Sequence, residues 1–231
     1  MSAPCPYELC DGTGWRTDED ANTAFPCRCR PQRQNRAKAR SLSAVIPRRY
    51  QGVSYDRPPV ANMDRRVIAA VREYTDRIDE RLDVGNGLWF IGDVGTGKTT
   101  LAMLVSSIAL AAGRTVAIYS MPRLISLLRS SYADDSAHTD VELLEQLTKV
   151  DLLHLDDLGT ERTNDWVLEQ IYAIVNSRYE AEKSVVLTGN EDDREKLRQQ
   201  LTGRTVSRLT EMCEEIPVYG EDQRLAFHRT A

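Results

Sequence analysis

At 231 residues, with 41% apolar and 28% charged side chains, the chain has the make-up of a globular protein with room for one good-sized domain and a small appendage. No stretch reaches the roughly 18 apolar residues of a membrane helix, and no cationic start runs into an apolar segment; neither a membrane nor a secreted protein is expected, and the reducing cytoplasm is the expected location. The formal charge of −5 confines any nucleic-acid groove to a narrow, local patch.

The first 30 residues are marked by Cys, Gly and Pro. MSAPCPYELCDGTGW and FPCRCR hold four of the five cysteines: Cys5, Cys10, Cys27 and Cys29. A segment this short has no core of its own without a staple. In a reducing compartment such clusters read as metal ligands sooner than as disulfides. Two close pairs across a polar loop present four thiolates to one Zn2+, and CDGTG supplies the glycines a tight turn needs. The spacings, x4 and x, depart from paired C-x2-C knuckles; free thiols or a redox pair are the alternatives. Residues 1–30 are thus expected to form a zinc-binding module. Residues 31–48 follow as a basic linker: from Arg28 to Arg49 there are eight Arg or Lys and no acid. That run suits an anionic partner, nucleic acid or an acidic protein face, or a solvated linker.

From Asn62 to about Arg81, Val67, Ile68, Val71, Tyr74 and Ile78 recur at helical spacing. Strands and helices then alternate. LWFIG (88–92) predicts a strand, and 99–112 a helix stopped by Gly113. TVAIYS (115–120) predicts a strand, 123–132 a helix, ADDSAHTD a break and 141–149 a second helix. VDLLHL (150–155) is the next strand, 166–182 a helix, SVVLTGN (184–190) a strand, 194–201 and 206–213 short helices, and EIPVYG (215–220) a last strand. Five apolar strands alternating with helices predict an α/β fold with a parallel five-stranded sheet covered on both faces. Cys213 reads as a packing residue in the helix RLTEMCEE; His138, His154 and His228 lie too far along the chain to be expected as ligands of the cysteine site.

GDVGTGKTT carries G-x4-G-K-[ST] at Gly92, Gly97, Lys98 and Thr99, after a strand and opening a helix, where a phosphate-binding loop must lie. Gly92, Asp93, Val94, Gly95, Thr96, Gly97, Lys98, Thr99 and Thr100 are the expected nucleotide contacts: backbone N–H groups and the helix N-terminus receive the phosphates, Lys98 reaches the β- and γ-phosphates, and the Thr99 hydroxyl ligates Mg2+. LLHLDDLG places Asp156 and Asp157 at the tip of an apolar strand. The first is expected to hold Mg2+, the second to orient and deprotonate the attacking water. Asn190, ending SVVLTGN, stands beside them as a candidate γ-phosphate sensor.

These motifs in this order, with IPRRY, GLWFIGDVGTGKTTLA, VDLLHLDDLGTER, NSRYE, LTGN and GRTVSRLTEMCEEIPVYGEDQR, resemble the AAA+ ATPases of the DnaC/DnaI bacterial or phage helicase loaders and their relative, the IstB transposition helper, over about residues 46–224. The resemblance implies an AAA+ P-loop ATPase domain over 49–231, with Lys98 and Thr99 as Walker A residues, Asp156 and Asp157 as the Walker B pair and Asn190 as sensor I. It implies that Arg208 is an arginine finger reaching a neighbouring subunit's ATP, that Arg224 is the sensor II arginine, and that the protein is a homo-oligomer. By rough alignment it places Tyr132, Asn164 and Trp166 near the loaders' contacts to single-stranded DNA; packing is the other role open to the two aromatics. The implied function is ATP-dependent loading of the replicative DNA helicase onto single-stranded DNA, with ATP, Mg2+ and Zn2+ as cofactors. The alternatives are an IstB-like transposition helper and a zinc adaptor with an ATP switch.

Overall fold

The computed structural model describes residues 5–18, 23–30, 46–133, 137–158, 164–190, 198–199 and 201–223, and of 131–142 only the helical backbone. Contacts divide the chain into two compact units, Met1–Leu42 and Ser43–Ala231. Most of the expected basic linker (31–45) and most of the helix expected at 194–201 lie outside the described residues, as does Arg224. Among the described residues, no helix is long and apolar enough to cross a membrane.

The amino-terminal unit is built on a hairpin that the sequence pattern did not announce. β1 (Trp15–Asp18) pairs antiparallel with β2 (Thr23–Pro26), Trp15 opposite Pro26 and Arg16 opposite Phe25. Its buried apolar cluster consists of Cys5, Cys27 and Cys29, with Cys10 packed against them. The Arg30 guanidinium lies 3.5 Å over the Trp15 ring.

In the second unit, α1 (Arg65–Asp76) and α2 (Ile78–Asp83) precede β3 (Gly87–Ile91), α3 (Lys98–Ala111), β4 (Val116–Ser120), α4 (Met121–Ala133), α5 (Ala137–Lys149), β5 (Leu152–Leu158), α6 (Asp165–Glu180), β6 (Ser184–Gly189), α7 (Gly203–Met212) and β7 (Cys213–Pro217). The sheet order is β4-β5-β6-β3-β7, with every pairing parallel. Alternate side chains point to opposite faces. Leu153, Leu155, Val185 and Leu187 join one apolar layer with α4–α7; Leu152, Val186, Leu88 and Phe90 join the other with α1–α3. Both faces are covered, which is why the strands are apolar runs rather than alternating ones.

Four boundaries differ from the sequence expectation. The single helix expected to Arg81 breaks at Arg77 (φ −115°, ψ 30°). Thr75 sits just before it, its hydroxyl donating to the Arg72 carbonyl (3.1 Å) and meeting the Tyr55 hydroxyl (2.6 Å), a back-bond that bends helices. α5 starts at Ala137, earlier than expected: Ala137 is a strong helix former and Asp140 favours a helix N-terminus. β5 runs on through both aspartates instead of ending before them. Cys213 opens β7, paired with Gly87, rather than closing a helix.

Arg178 locks the base of the sheet. It is fully buried and donates to the carbonyls of Leu147 (2.6 Å), Thr148 (3.3 Å), Val150 (3.0 Å), Asp151 (3.2 Å) and Ser184 (2.6 Å). Leu147 and Thr148 belong to the last turn of α5, whose carbonyls have no helical donor. One side chain from α6 therefore caps α5 and ties it to the starts of β5 and β6. Burial pushes the guanidinium pKa down to about 9, against the opposing effect of Asp151.

Candidate functional site

β3 delivers the chain to the loop Gly92–Gly97, and α3 carries it away through the middle of the unit. Gly97 caps α3 in the left-handed region (φ 102°), a conformation that favours glycine; a Cβ there would also meet the end of the Met63 side chain (Cε 2.2 Å). Thr96 Oγ1 donates to the Asp93 carbonyl (2.9 Å), bracing the loop. The largely buried Lys98 ammonium donates to the carbonyls of Gly92 (2.8 Å) and Asp93 (2.5 Å), which holds the cation at the loop's mouth.

On a regular strand Asp156 and Asp157 would face opposite sides. The β5–β6 register shifts between Leu155 and Leu158, and Asp157 takes φ 68°, an uncommon value for a non-glycine residue. This bulge turns two consecutive carboxylates toward one cavity. A chain of hydrogen bonds fixes them. Thr99 Oγ1 and Thr188 Oγ1 each donate to Asp156 Oδ1 at 2.8 Å. The Asp157 N–H donates to Thr188 Oγ1 (2.8 Å), and Asn190 Nδ2 donates to Asp157 Oδ1 (3.2 Å). The phosphate loop, the acid pair and the end of β6 thus share one network.

The network borders a cavity of about 890 Å3, lined by Val94, Gly95, Gly97, Lys98, Thr99, Thr100, Asp156, Asp157, Thr188 and Asn190 on one side. The other side is Arg49–Val53, Arg57–Pro59 and Gln223, whose N–H donates to the Gly95 carbonyl (3.0 Å). Sequence motifs did not point to that second wall, because backbone and ring surfaces leave no spacing signature; IPRRY was its only trace. Motif reading also passed over His154, fully buried behind Asp156, with Nδ1 2.9 Å from Ser106 Oγ and Nε2 4.0 Å from Asp156 Oδ1. Burial drives its pKa down to about 4, which keeps the ring neutral. Loop threonine, paired acid and cradled lysine are the donor set a magnesium–nucleotide complex uses.

Arg208 does not line this cavity. It projects from α7 over the rings of Tyr172 (4.9 Å) and Tyr179 (5.5 Å), while Tyr179 is tied to Glu211 (2.8 Å). Asn164 is the N-cap of α6, its Oδ1 accepting from the Val167 N–H (3.0 Å). Trp166 is half-buried against the core, and the Tyr132 side chain lies outside the described residues.

The four amino-terminal thiols form a second site, with all sulfurs within 4.8 Å of one another. Cys5 and Cys27 are 3.8 Å apart, Cys10 and Cys29 3.6 Å. Four sulfurs about 2.3 Å from a tetrahedral zinc stand roughly 3.8 Å from each other, whereas a disulfide would bring two to about 2 Å. Burial works against the Cys5 thiolate, yet the N–H groups of Leu9, Tyr7 and Cys10 hold its pKa near 6. Burial and the neighbouring thiols raise Cys29 to about 12. A cation bound by all four sulfurs would displace the proton that Cys29 otherwise holds, and the donor set fits zinc.

Comparison with known proteins agrees with this geometry. The family model described as IstB-like ATP binding protein matches residues 28–231. The replicative helicase loader DnaC of Buchnera aphidicola subsp. Schizaphis graminum is 28% identical over 130 residues, 56% of this chain and 52% of that protein. DnaC of Escherichia coli K12 is 26% identical over 144 residues, 62% and 56% of the two. The chain thus spans about half the length of the curated relatives it matches. Among solved structures, the crystal structure of the DnaC helicase loader superposes with a TM-score of 0.63 at 28% identity, covering 74% of this chain and 99% of that one. The DnaI crystal structure, at 24% identity and TM-score 0.63, covers 81% and 100% and shares the fold. On its phosphate loop, acid pair and sheet order, and on a family match over most of its length, this chain belongs to the IstB-like ATP binding protein family.

Proposed function

We propose that this protein hydrolyses ATP and, as an oligomer, loads a replicative DNA helicase onto single-stranded DNA. The observation that carries the proposal is the network joining Thr99, Asp156, Thr188, Asp157 and Asn190. It joins a nucleotide-binding loop to a pair of acids arranged for hydrolysis, in a chain whose relatives are named helicase loaders. Thr99 and Asp156 would hold magnesium, which when bound neutralises charge on the phosphates. Lys98 holds the β- and γ-phosphates. Asp157, steadied by Asn190, orients the attacking water and takes its proton. Asp157 is one methylene shorter than a glutamate, so turnover is expected to be slow and stimulated by partner or DNA. Arg208 points away from its own subunit's nucleotide and serves a neighbour's; Arg224 acts as the sensor beyond Gln223. Tyr132, Asn164 and Trp166 remain the proposed DNA contacts, of which Trp166 has the stacking surface.

The cysteine unit, holding zinc, is the proposed grip on the helicase. The transposition-helper reading rests on the family match itself, but Cys5, Cys10 and Cys27 precede the matched residues 28–231 and favour the loader. Two measurements decide. Lys98→Ala and Asp157→Asn should each lower ATP turnover by about 100-fold or more, with Asp157→Asn still binding nucleotide; undiminished turnover refutes the catalytic assignment. Cys27→Ser with Cys29→Ser should abolish co-purification with the replicative helicase while sparing ATP binding. Retained helicase binding sinks the grip, and duplex-DNA filaments with transposase recruitment would favour the helper.

A further inference from the structure

We propose that His154 is a positioning residue for Asp156, holding that carboxylate ready for the magnesium ion of the nucleotide site. The proposal rests on the reading of the cavity given above.

Position 154 lies within β5, an inner strand of the sheet, in register with Ile118 on β4 and Val186 on β6. Its face of the sheet packs Leu152, Val186, Leu88 and Phe90 against α3. An apolar side chain would suit that place. An imidazole there carries two polar nitrogens out of water, a cost that native proteins offset with hydrogen bonds. Only one nitrogen is so satisfied: Nδ1 lies 2.9 Å from Ser106 Oγ. Nε2 is fully buried with no hydrogen-bond partner among the described residues, and it faces Asp156 Oδ1 at 4.0 Å. An orphaned polar atom aimed at a carboxylate of the active cavity calls for a functional reason.

Electrostatics selects its tautomer. A bare Nε2 lone pair facing a carboxylate would repel it, whereas Nε2–H attracts it. The Ser106 hydroxyl, placed to donate to the Ala102 carbonyl at 2.9 Å, would in this tautomer turn its one hydrogen to Nδ1, leaving that carbonyl the helix's own N–H. The relay is then Ser106 to His154 to Asp156, running from α3 through β5. Asp156 Oδ1 accepts hydrogen bonds from the hydroxyls of Thr99 and Thr188 and faces the imidazole N–H at 4.0 Å, an electrostatic attraction rather than a hydrogen bond. Its rotation is restricted and its other oxygen is left for a ligand. Outer-shell partners of this kind orient carboxylate ligands before the ion arrives.

The test compares His154→Asn with His154→Gln in the full-length protein. Asparagine keeps a polar atom near Nδ1 for Ser106 but loses the arm toward Asp156; glutamine reaches the place of Nε2. The readouts are the Mg2+ concentration needed to tighten binding of a fluorescent ATP analogue, and the melting temperature. His154→Asn should raise the Mg2+ requirement about tenfold without changing affinity for the Mg2+-free nucleotide, and His154→Gln should restore most of it. An unchanged Mg2+ requirement in folded His154→Asn overturns the proposal. So does an equal shift in both variants accompanied by lower melting temperatures, which marks a packing role. If nucleotide affinity of the unmodified protein ignores Mg2+, the reading of the cavity itself fails, and this proposal with it.

Discussion

Among the described residues of the amino-terminal unit, the deeply buried apolar side chains are three cysteines, while Tyr7, Leu9, Trp15 and Phe25 stand 40–54% exposed. In the second unit Trp89, Tyr74 and Phe90 are at most 1% exposed, sealed in two apolar layers. Large aromatic side chains anchor the core of the second unit, while those described in the first stand exposed. Among its described residues the first unit buries little apolar surface; four sulfurs sharing a cation would supply what burial does not. Their spacing fits one tetrahedral zinc ion.

Metal removal should break this contrast most sharply. Zinc bound to such a segment contributes on the order of 10–16 kcal/mol of folding free energy, far more than the unit's few contacts. Adding a strong chelator to the intact protein should collapse the amide NMR signals of β1 and β2 while nucleotide binding and the main melting transition persist. Signals that survive chelation would mean that the hairpin folds without metal.

The second unit has its own polar staple, and Arg178→Leu tests how far an apolar core depends on one. Three buried carbonyls and two part-buried ones would lose this donor at once. A single unsatisfied acceptor costs about 1–3 kcal/mol, and some of these would relax toward solvent, so a loss of about 3–5 kcal/mol is expected. Urea denaturation should show it as a lowered midpoint. Arg178→Lys should recover little, because one ammonium cannot span carbonyls that a planar fork reaches together. A wild-type midpoint in Arg178→Leu would leave hydrophobic burial as the sole support of the sheet base.

Much of the second unit was legible in the residues. Gly92–Thr99 signalled its loop because glycine spacing, lysine and threonine each serve a backbone or phosphate requirement within eight positions. The five strands were legible because a sheet covered on both faces needs unbroken apolar runs. What was hidden depends on pairing between distant segments. The bulge that turns Asp157 arises from register with β6, not from anything in LLHLDDLG. Arg178 sits in NSRYE as an ordinary charged helix residue, and only the convergence of α5, β5 and β6 makes it internal. Cys213 changed from helix to strand because β3 offered it a partner. The hairpin of the first unit was unreadable for the opposite reason: its strands bury too little for alternation to appear.

A milder probe of the polar base is acid. Burial disfavours the Asp151 carboxylate, yet the Thr115 N–H (3.0 Å) and hydroxyl (2.8 Å) and the Lys183 ammonium (3.3 Å) hold its pKa below the ordinary value. A carboxyl more acidic in the folded state contributes stability that is complete above its unfolded pKa of about 3.9 and is lost as pH falls through the lower folded value. Asp151→Asn should therefore flatten the decline of melting temperature below about pH 4 and change little near neutrality. An unaltered acid limb would remove Asp151 from the supports of the second unit.

The smallest effect belongs to the exposed aromatics. Arg30 over Trp15 is worth about 0.5–1 kcal/mol at an exposed site, and Phe25 has no comparable partner among the described contacts. If the sulfurs alone hold the unit, Trp15→Ala should weaken zinc affinity by no more than about fivefold, and Phe25→Ala by less, as measured by competition with a chromophoric chelator. Both should nonetheless reduce capture of the replicative helicase, since exposed aromatic surface is what the unit offers a partner. A large loss of zinc affinity in Trp15→Ala would show that the ring and its arginine act as a miniature core, and the contrast between the two units would become one of degree.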